Sequence, residues 1–175
     1  MTKVRAYQGI TPMLGEKVYI DDTATVIGKV TIGDDSSIWP YAIARGDVNV
    51  ITIGRKTNIQ DHCVLHVTHD SKYNPGGREL IIGDCVTVGH QCVLHACTIE
   101  NLVLVGIGST ILDDVVVESE VMLGAGSLVP PGKRLERGFL YHGSPVTKVR
   151  PLTEKEITFL QYSADSYVKL KDSYN

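Results

Sequence analysis

Five of the six histidines in this 175-residue chain fall within one third of it: His62, His66, His69, His90 and His95, with His142 alone near the end. Imidazole is the commonest metal-ligating side chain, and three imidazoles plus one open position make up a catalytic zinc site. His66, His90 and His95 are the candidate trio. Such a set also suits Fe²⁺ or Co²⁺. A lone surface histidine is usually unremarkable, and His62 and His142 read as ordinary surface residues, with His62 at the rim of any site the others form. Sequence spacing alone does not bring the trio together, so the elements that carry it must.

Those elements repeat. Aliphatic or small residues recur every sixth position at Ile20, Val26, Ile32, Ile38, Ala44 and Val50. The ladder resumes after a three-residue shift at Ile53, Ile59 and Leu65, then at Ile82, Val88 and Leu94, and runs on through Val105, Ile111, Val117, Leu123, Val129 and Leu135. With 43% apolar residues, six consecutive hits have a chance probability of roughly 0.006. Glycine follows the ladder in Ile32-Gly33, Ile53-Gly54, Ile82-Gly83, Val88-Gly89, Val105-Gly106 and Leu123-Gly124, as befits backbone near a tight corner where a side chain costs energy. Each six-residue unit is a short strand plus a corner, and three units close one triangular coil whose ladder residues are buried only by stacking on the next coil. The fold class is therefore an all-β solenoid, a parallel β-helix of hexapeptide repeats. Its left-handed sense is implied by resemblance to hexapeptide-repeat proteins.

Two segments leave the period. Residues from about 70 to 80, Asp70-Ser71-Lys72-Tyr73-Asn74-Pro75-Gly76-Gly77-Arg78-Glu79 and beyond, are rich in turn formers and predict an external loop. Near the end, Thr153 and Glu156 have capping-box spacing, and Ile157, Leu160, Ala164, Tyr167, Val168 and Lys171 follow at three-to-four spacing, predicting an amphipathic helix over 154–171. The length suits one core, divided as a β-helix domain over 1–150 and a C-terminal α-helix in 151–175 that packs on its outside.

The ladder turns sequence position into face and coil. His66 and His95 each follow a ladder residue by one, and Leu65 and Leu94 are 29 apart, which is one 18-residue coil plus an 11-residue excursion matching the loop. They should stack in adjacent coils, about 4.8 Å apart. Arg45 occupies the same column one coil earlier. His90 lies two after Val88, as Asp61 lies two after Ile59, so this pair stacks one face away. His90 can join the other two only if a neighbouring chain presents that face, as in a threefold trimer of triangular prisms.

Composition narrows the partners. Lys+Arg number 17 against 20 Asp+Glu, a net charge of −3 without blocks of like charge, so no nucleic-acid or membrane partner is indicated. No signal-type apolar region follows the basic residues at the start and no apolar run approaches a membrane span, which predicts a cytoplasmic protein. Cys63, Cys85, Cys92 and Cys97 lack CxxC spacing. Cys63 and Cys92 fall two before a ladder position and read as inward-pointing core fillers, Cys85 and Cys97 as structural.

Taken together, Arg45-Gly46-Asp47, Asn58-Ile59-Gln60-Asp61 leading to His66, Val88-Gly89-His90-Gln91-Cys92-Val93-Leu94-His95 and Gly124-Ala125-Gly126-Ser127-Leu128-Val129-Pro130-Pro131-Gly132 resemble the gamma-class carbonic anhydrase family. The likeness runs from about Val18 to Pro145. It implies a homotrimer with a Zn²⁺ ion (Fe²⁺ or Co²⁺ as alternatives) at each interface, held by His66 and His95 of one chain and His90 of the next. It implies a lyase that reversibly hydrates CO₂ to bicarbonate through attack by metal-bound hydroxide. By motif, Arg45 and Asp61 match residues of the intersubunit salt bridge and substrate positioning, Gln60 one that orients water or bicarbonate, and Asp47 a member of the same polar group. Tyr167 matches a tyrosine that some relatives direct into the site from the terminal helix. Val48 and His69 stand where the archaeal type carries glutamates, so His69 becomes the candidate proton carrier. Two other functions fit the same scaffold: a metal-binding trimer without this catalysis, and an acyltransferase using acetyl-CoA, since fold does not determine function.

Overall fold

The ladder closes into a triangular prism. The computed structural model describes residues 3–174, and its strands stack in three faces. On the first face Tyr19–Ile20, Ser37–Ile38, Asn58–Ile59, Thr87–Val88, Leu104–Val105, Met122–Leu123 and Phe139–Gly143 pair in parallel, and the antiparallel strand Val146–Pro151 covers the last of them. The second face carries Val64–His66, Val93–His95, Thr110–Ile111 and Leu128–Val129, and the third Leu80–Ile82, Thr98–Ile99, Val116–Val117 and Arg134–Leu135. Two longer strands, Thr25–Ile32 and Ile43–Ile53, run through both of these faces and join them into one sheet. The chain is a left-handed parallel β-helix with one C-terminal helix.

Ladder side chains fill the prism axis. Leu65, Leu94, Val88, Ile111 and Val129 have no measurable exposure, and the buried residues form one continuous column from Ile20 to Tyr141. Cys63 and Cys92 belong to it, each thiol donating to a backbone carbonyl, Gly89 O at 3.1 Å and Gly106 O at 3.2 Å. The glycines after ladder residues are there because coils approach closely: a Cβ on Gly54 would lie 2.5 Å from the carbonyl carbon of Gly83. The left-handed corner positions themselves are filled by other residues, including Tyr41, His62 and Gln91, all at φ 60°.

One rung departs from the expected ladder. Val50 is 36% exposed, and Ile51 takes the core position. Gly28 pairs with Gly46 and Val30 with Ile51, so the three extra residues are absorbed before Val50 rather than after it. The excess bulges outward at Asp47, Val48 and Asn49.

The excursion between the two histidine coils is the predicted external loop, closed by bridges between Thr68 and Arg78 and between Ser71 and Asn74. The helix spans Glu154–Asp172 with the expected capping box: Thr153 Oγ1 accepts from the Glu156 backbone, and Glu156 accepts from the Thr153 backbone N–H at 2.9 Å. Leu160, Ser163, Ala164 and Lys171 are its buried residues. Its docking is partly polar. Ser163 and Thr87 hydroxyls meet at 2.9 Å, Lys56 faces Asp165 at 3.6 Å, and the fully buried Lys171 ammonium lies 3.4 Å from Asp35. No helix among the described residues is long and apolar enough to cross a membrane.

Candidate functional site

The register brings His66 and His95 together. They are direct partners in the parallel pairing of Val64–His66 with Val93–His95, and His66 Nδ1 lies 3.2 Å from His95 Nε2. Both rings are partly buried at the end of the second face, where β-strand alternation points them outward from the prism. His90 stands one face away, after the strand Thr87–Val88, and its Nδ1 donates to Asp61 Oδ2 at 2.9 Å. Among the described residues no three His, Cys, Asp or Glu side chains of one chain are arranged to hold a metal ion.

Carboxylates hold the outer nitrogens of the paired histidines. His66 Nε2 donates to Asp47 Oδ1 at 3.1 Å, and His95 Nδ1 to Asp113 Oδ1 at 2.6 Å. Burial pushes both carboxyls up, but hydrogen bonds from Arg45 and His66 hold Asp47, and those from Thr68 and His95 hold Asp113, below the usual range. Both are therefore ionised at neutral pH and only accept, so the outer imidazole nitrogens carry the protons. In neutral imidazoles the two inner nitrogens are then lone pairs facing each other at 3.2 Å. Such an arrangement calls for a cation between them. Burial, reinforced by the Arg45 charge and opposed by Asp47, lowers the His66 pKa, which favours a metal over a proton. Zinc–nitrogen bonds of about 2.0–2.1 Å in tetrahedral geometry set ligand atoms about 3.3 Å apart, so the donor set fits the group. His90 repeats the pattern, Nδ1 on a carboxylate and Nε2 left over.

Asp47 reaches His66 from the bulge that displaces Val50, and it also accepts from Arg45. Arg45 and Asp61, matched by resemblance to a salt bridge between subunits, do not pair within the chain: one is held by Asp47, the other by His90. Gln60 is 5% exposed, with its amide nitrogen on Asn58 Oδ1 at 3.1 Å. It shares a groove of about 430 Å³ with His90 and with Tyr167 of the helix. Tyr167 packs edge-on against Trp39 at 5.7 Å, and burial, then the Asp61 charge, raises its pKa. His69 is exposed at the loop root and hydrogen-bonds none of the three histidines. His62 stacks on the exposed Tyr41 ring at 5.1 Å.

Asp113 is the residue that sequence reasoning missed. It lies 18 positions after His95, one full coil, and the Asp114 N–H donates to Ala96 O, fixing Asp113 above His95.

Among known proteins, Protein YrdA of Escherichia coli (strain K12) is 56% identical over 171 residues, covering 98% of this chain and 93% of its own length. The mitochondrial Gamma carbonic anhydrase 2 of Arabidopsis thaliana is 45% identical over 162 residues, 91% of this chain and 57% of that protein. The chain belongs to the gamma carbonic anhydrase-like family. A crystal structure of a hexapeptide transferase family protein from Anaplasma phagocytophilum superimposes with a TM-score of 0.92 at 41% identity, covering 99% of both chains. No family model matches the chain.

Proposed function

We propose that the protein is a zinc-dependent carbonic anhydrase, iron or cobalt being alternatives, that reversibly hydrates CO₂ at three sites between the chains of a homotrimer. The observation that carries this reading is the approach of His66 Nδ1 to His95 Nε2 at 3.2 Å, with each ring held from behind by an aspartate. His90 of the adjacent subunit supplies the third donor, since its own Asp61 leaves Nε2 available. Support for the trimer comes from a stripe beside the histidines: Ile43 and Val64, each 40% exposed, pair with one another and with the partly buried Val93 in the outward column of the second face. Burying a β-branched stripe of this kind favours association.

His66 and His95 of one chain with His90 of the next would hold the zinc, which when bound would act as a Lewis acid and make water a nucleophile near neutral pH, as in carbonic anhydrase itself. Arg45 spends one N–H on Asp47, and a guanidinium carries five donors; the others stabilise the negative charge of bicarbonate. Gln60, pinned by Asn58, orients the reacting oxygen, and Tyr167 and the apolar wall of the groove exclude bulk water. His69, in water at the loop root, takes the proton to buffer. Asp61 keeps His90 in the donor-free tautomer at Nε2.

The test is metal analysis with stopped-flow CO₂ hydration after anaerobic reconstitution with zinc or iron. One metal per chain with turnover is expected. Metal without turnover leaves a metal-binding trimer, and absence of stoichiometric metal removes both readings.

A further inference from the structure

The loop between the two histidine coils closes on a neck. Thr68 and Arg78 exchange both backbone hydrogen bonds at 2.9 Å, and the Asn49 amide donates to Thr68 O at 3.2 Å. Gly77 crosses there at φ +66°, where a Cβ would lie 2.5 Å from Thr68 O. The neck is fastened to the next coil at two adjacent aspartates. Thr68 Oγ1 donates to Asp113 Oδ2, and Arg78 Nε donates to Asp114 Oδ1 at 2.6 Å.

The first fastening differs from the second in what lies behind it. Asp113 uses its other oxygen on His95 Nδ1 at 2.6 Å, so hydroxyl, carboxylate and imidazole form one chain from the loop neck to the inner face of His95. A carboxylate with one oxygen on Thr68 and the other on His95 has no freedom to rotate. An imidazole donating to it cannot flip without stranding an N–H.

We propose that Asp113, oriented by Thr68 at the loop neck, is a positioning residue that holds His95 as the Nδ1–H tautomer with Nε2 aimed at His66. This rests on reading His66 and His95 as metal ligands. The external loop thereby acquires a role at the site through its neck, whatever its tip does. Asp114 and Arg78 close the same neck without touching His95, and serve as the internal control.

The experiment compares Asp113→Asn, Thr68→Val and Asp114→Asn with the unaltered full-length protein. Zinc and cobalt affinity is measured by chelator competition, and the His95 tautomer by imidazole ¹⁵N–¹H correlation spectra of metal-free protein, with assembly state and melting temperature recorded alongside. Asp113→Asn can turn its amide N–H₂ toward the ring and favour the opposite tautomer, so a 10- to 100-fold loss of affinity is expected, in the range seen when such outer partners are removed. Thr68→Val keeps the branched shape, loses the hydroxyl, and shifts affinity in the same direction by less. Asp114→Asn leaves affinity and tautomer unchanged. The proposal is overturned if His95 of the unaltered protein carries its proton on Nε2, if Asp113→Asn and Thr68→Val both bind metal as the parent does, or if Asp114→Asn weakens binding as much as Asp113→Asn. Should the parent bind no metal, the metal-site reading falls, and the tautomer spectra still decide whether Asp113 positions His95.

Discussion

Two damaged subunits should repair one another. His90→Ala removes the third donor but leaves the His66–His95 pair; His66→Ala breaks the pair but leaves His90 and its Asp61 partner intact. If each site takes its pair from one chain and His90 from the next, neither variant alone forms a complete site. In a mixed trimer of either composition, one of the three interfaces joins an intact pair to an intact His90. Random assembly from equal amounts makes three quarters of the trimers mixed, so about one quarter of the wild-type sites return. Metal content and CO₂ hydration of the co-refolded mixture, measured against each variant refolded alone, read this directly. Metal at wild-type stoichiometry in His90→Ala alone, or no recovery in a mixture whose hetero-trimers are demonstrated by tagged subunits, refutes the intersubunit assignment.

Other expectations follow from packing and titration. Leu94→Ala, at a position without exposure, should cost roughly 2–5 kcal/mol, read as a lower denaturant midpoint at unchanged slope. The Glu156 carboxyl is held down to about 2 by Arg150 first and then by the Thr153 backbone. Its folded pKa lies below the ordinary value of 4.5, so the stabilisation is complete above about 4.5 and is lost as pH falls toward 2; helicity of Glu156→Gln should lack that acid-dependent part. In native protein at pH 8 a thiol reagent should reach Cys85 first, because Cys63, Cys92 and Cys97 are buried and burial drives the Cys97 pKa up to about 12. Fast reaction of two or more thiols would contradict this.

Periodicity made most of the fold legible. A six-residue ladder converts counting into register, and the counted partnership of His66 with His95 is the one that the strands form. The helix was legible because its capping box is local. Val50 was misread because Val50 and Ile51 are both β-branched and apolar, and the period does not say where an insertion is absorbed. Asp113 escaped because it follows its ladder residue by two, whereas His95 follows by one; only the shortened corner after His95 brings them into line. Thr68 was invisible for a different reason, since the closure of a loop on its neck is a tertiary event. His69 came from correspondence alone, and the structure gives it exposure without a partner among the three histidines.

The terminal helix has a consequence for how the molecule comes apart. A stack in which each coil touches only its neighbours behaves as a one-dimensional array, and such arrays fray from their ends. Here the chain turns back after the last coil, and its helix bears on Asp35, Lys56, Cys85 and Thr87, which belong to early and middle coils. The array is thus closed into a ring of mutual dependence: releasing the last coil also frees the helix that braces the earlier ones. Melting should therefore be one cooperative event, and cutting the chain just before Thr153 should restore the graded, end-first unravelling of an open stack.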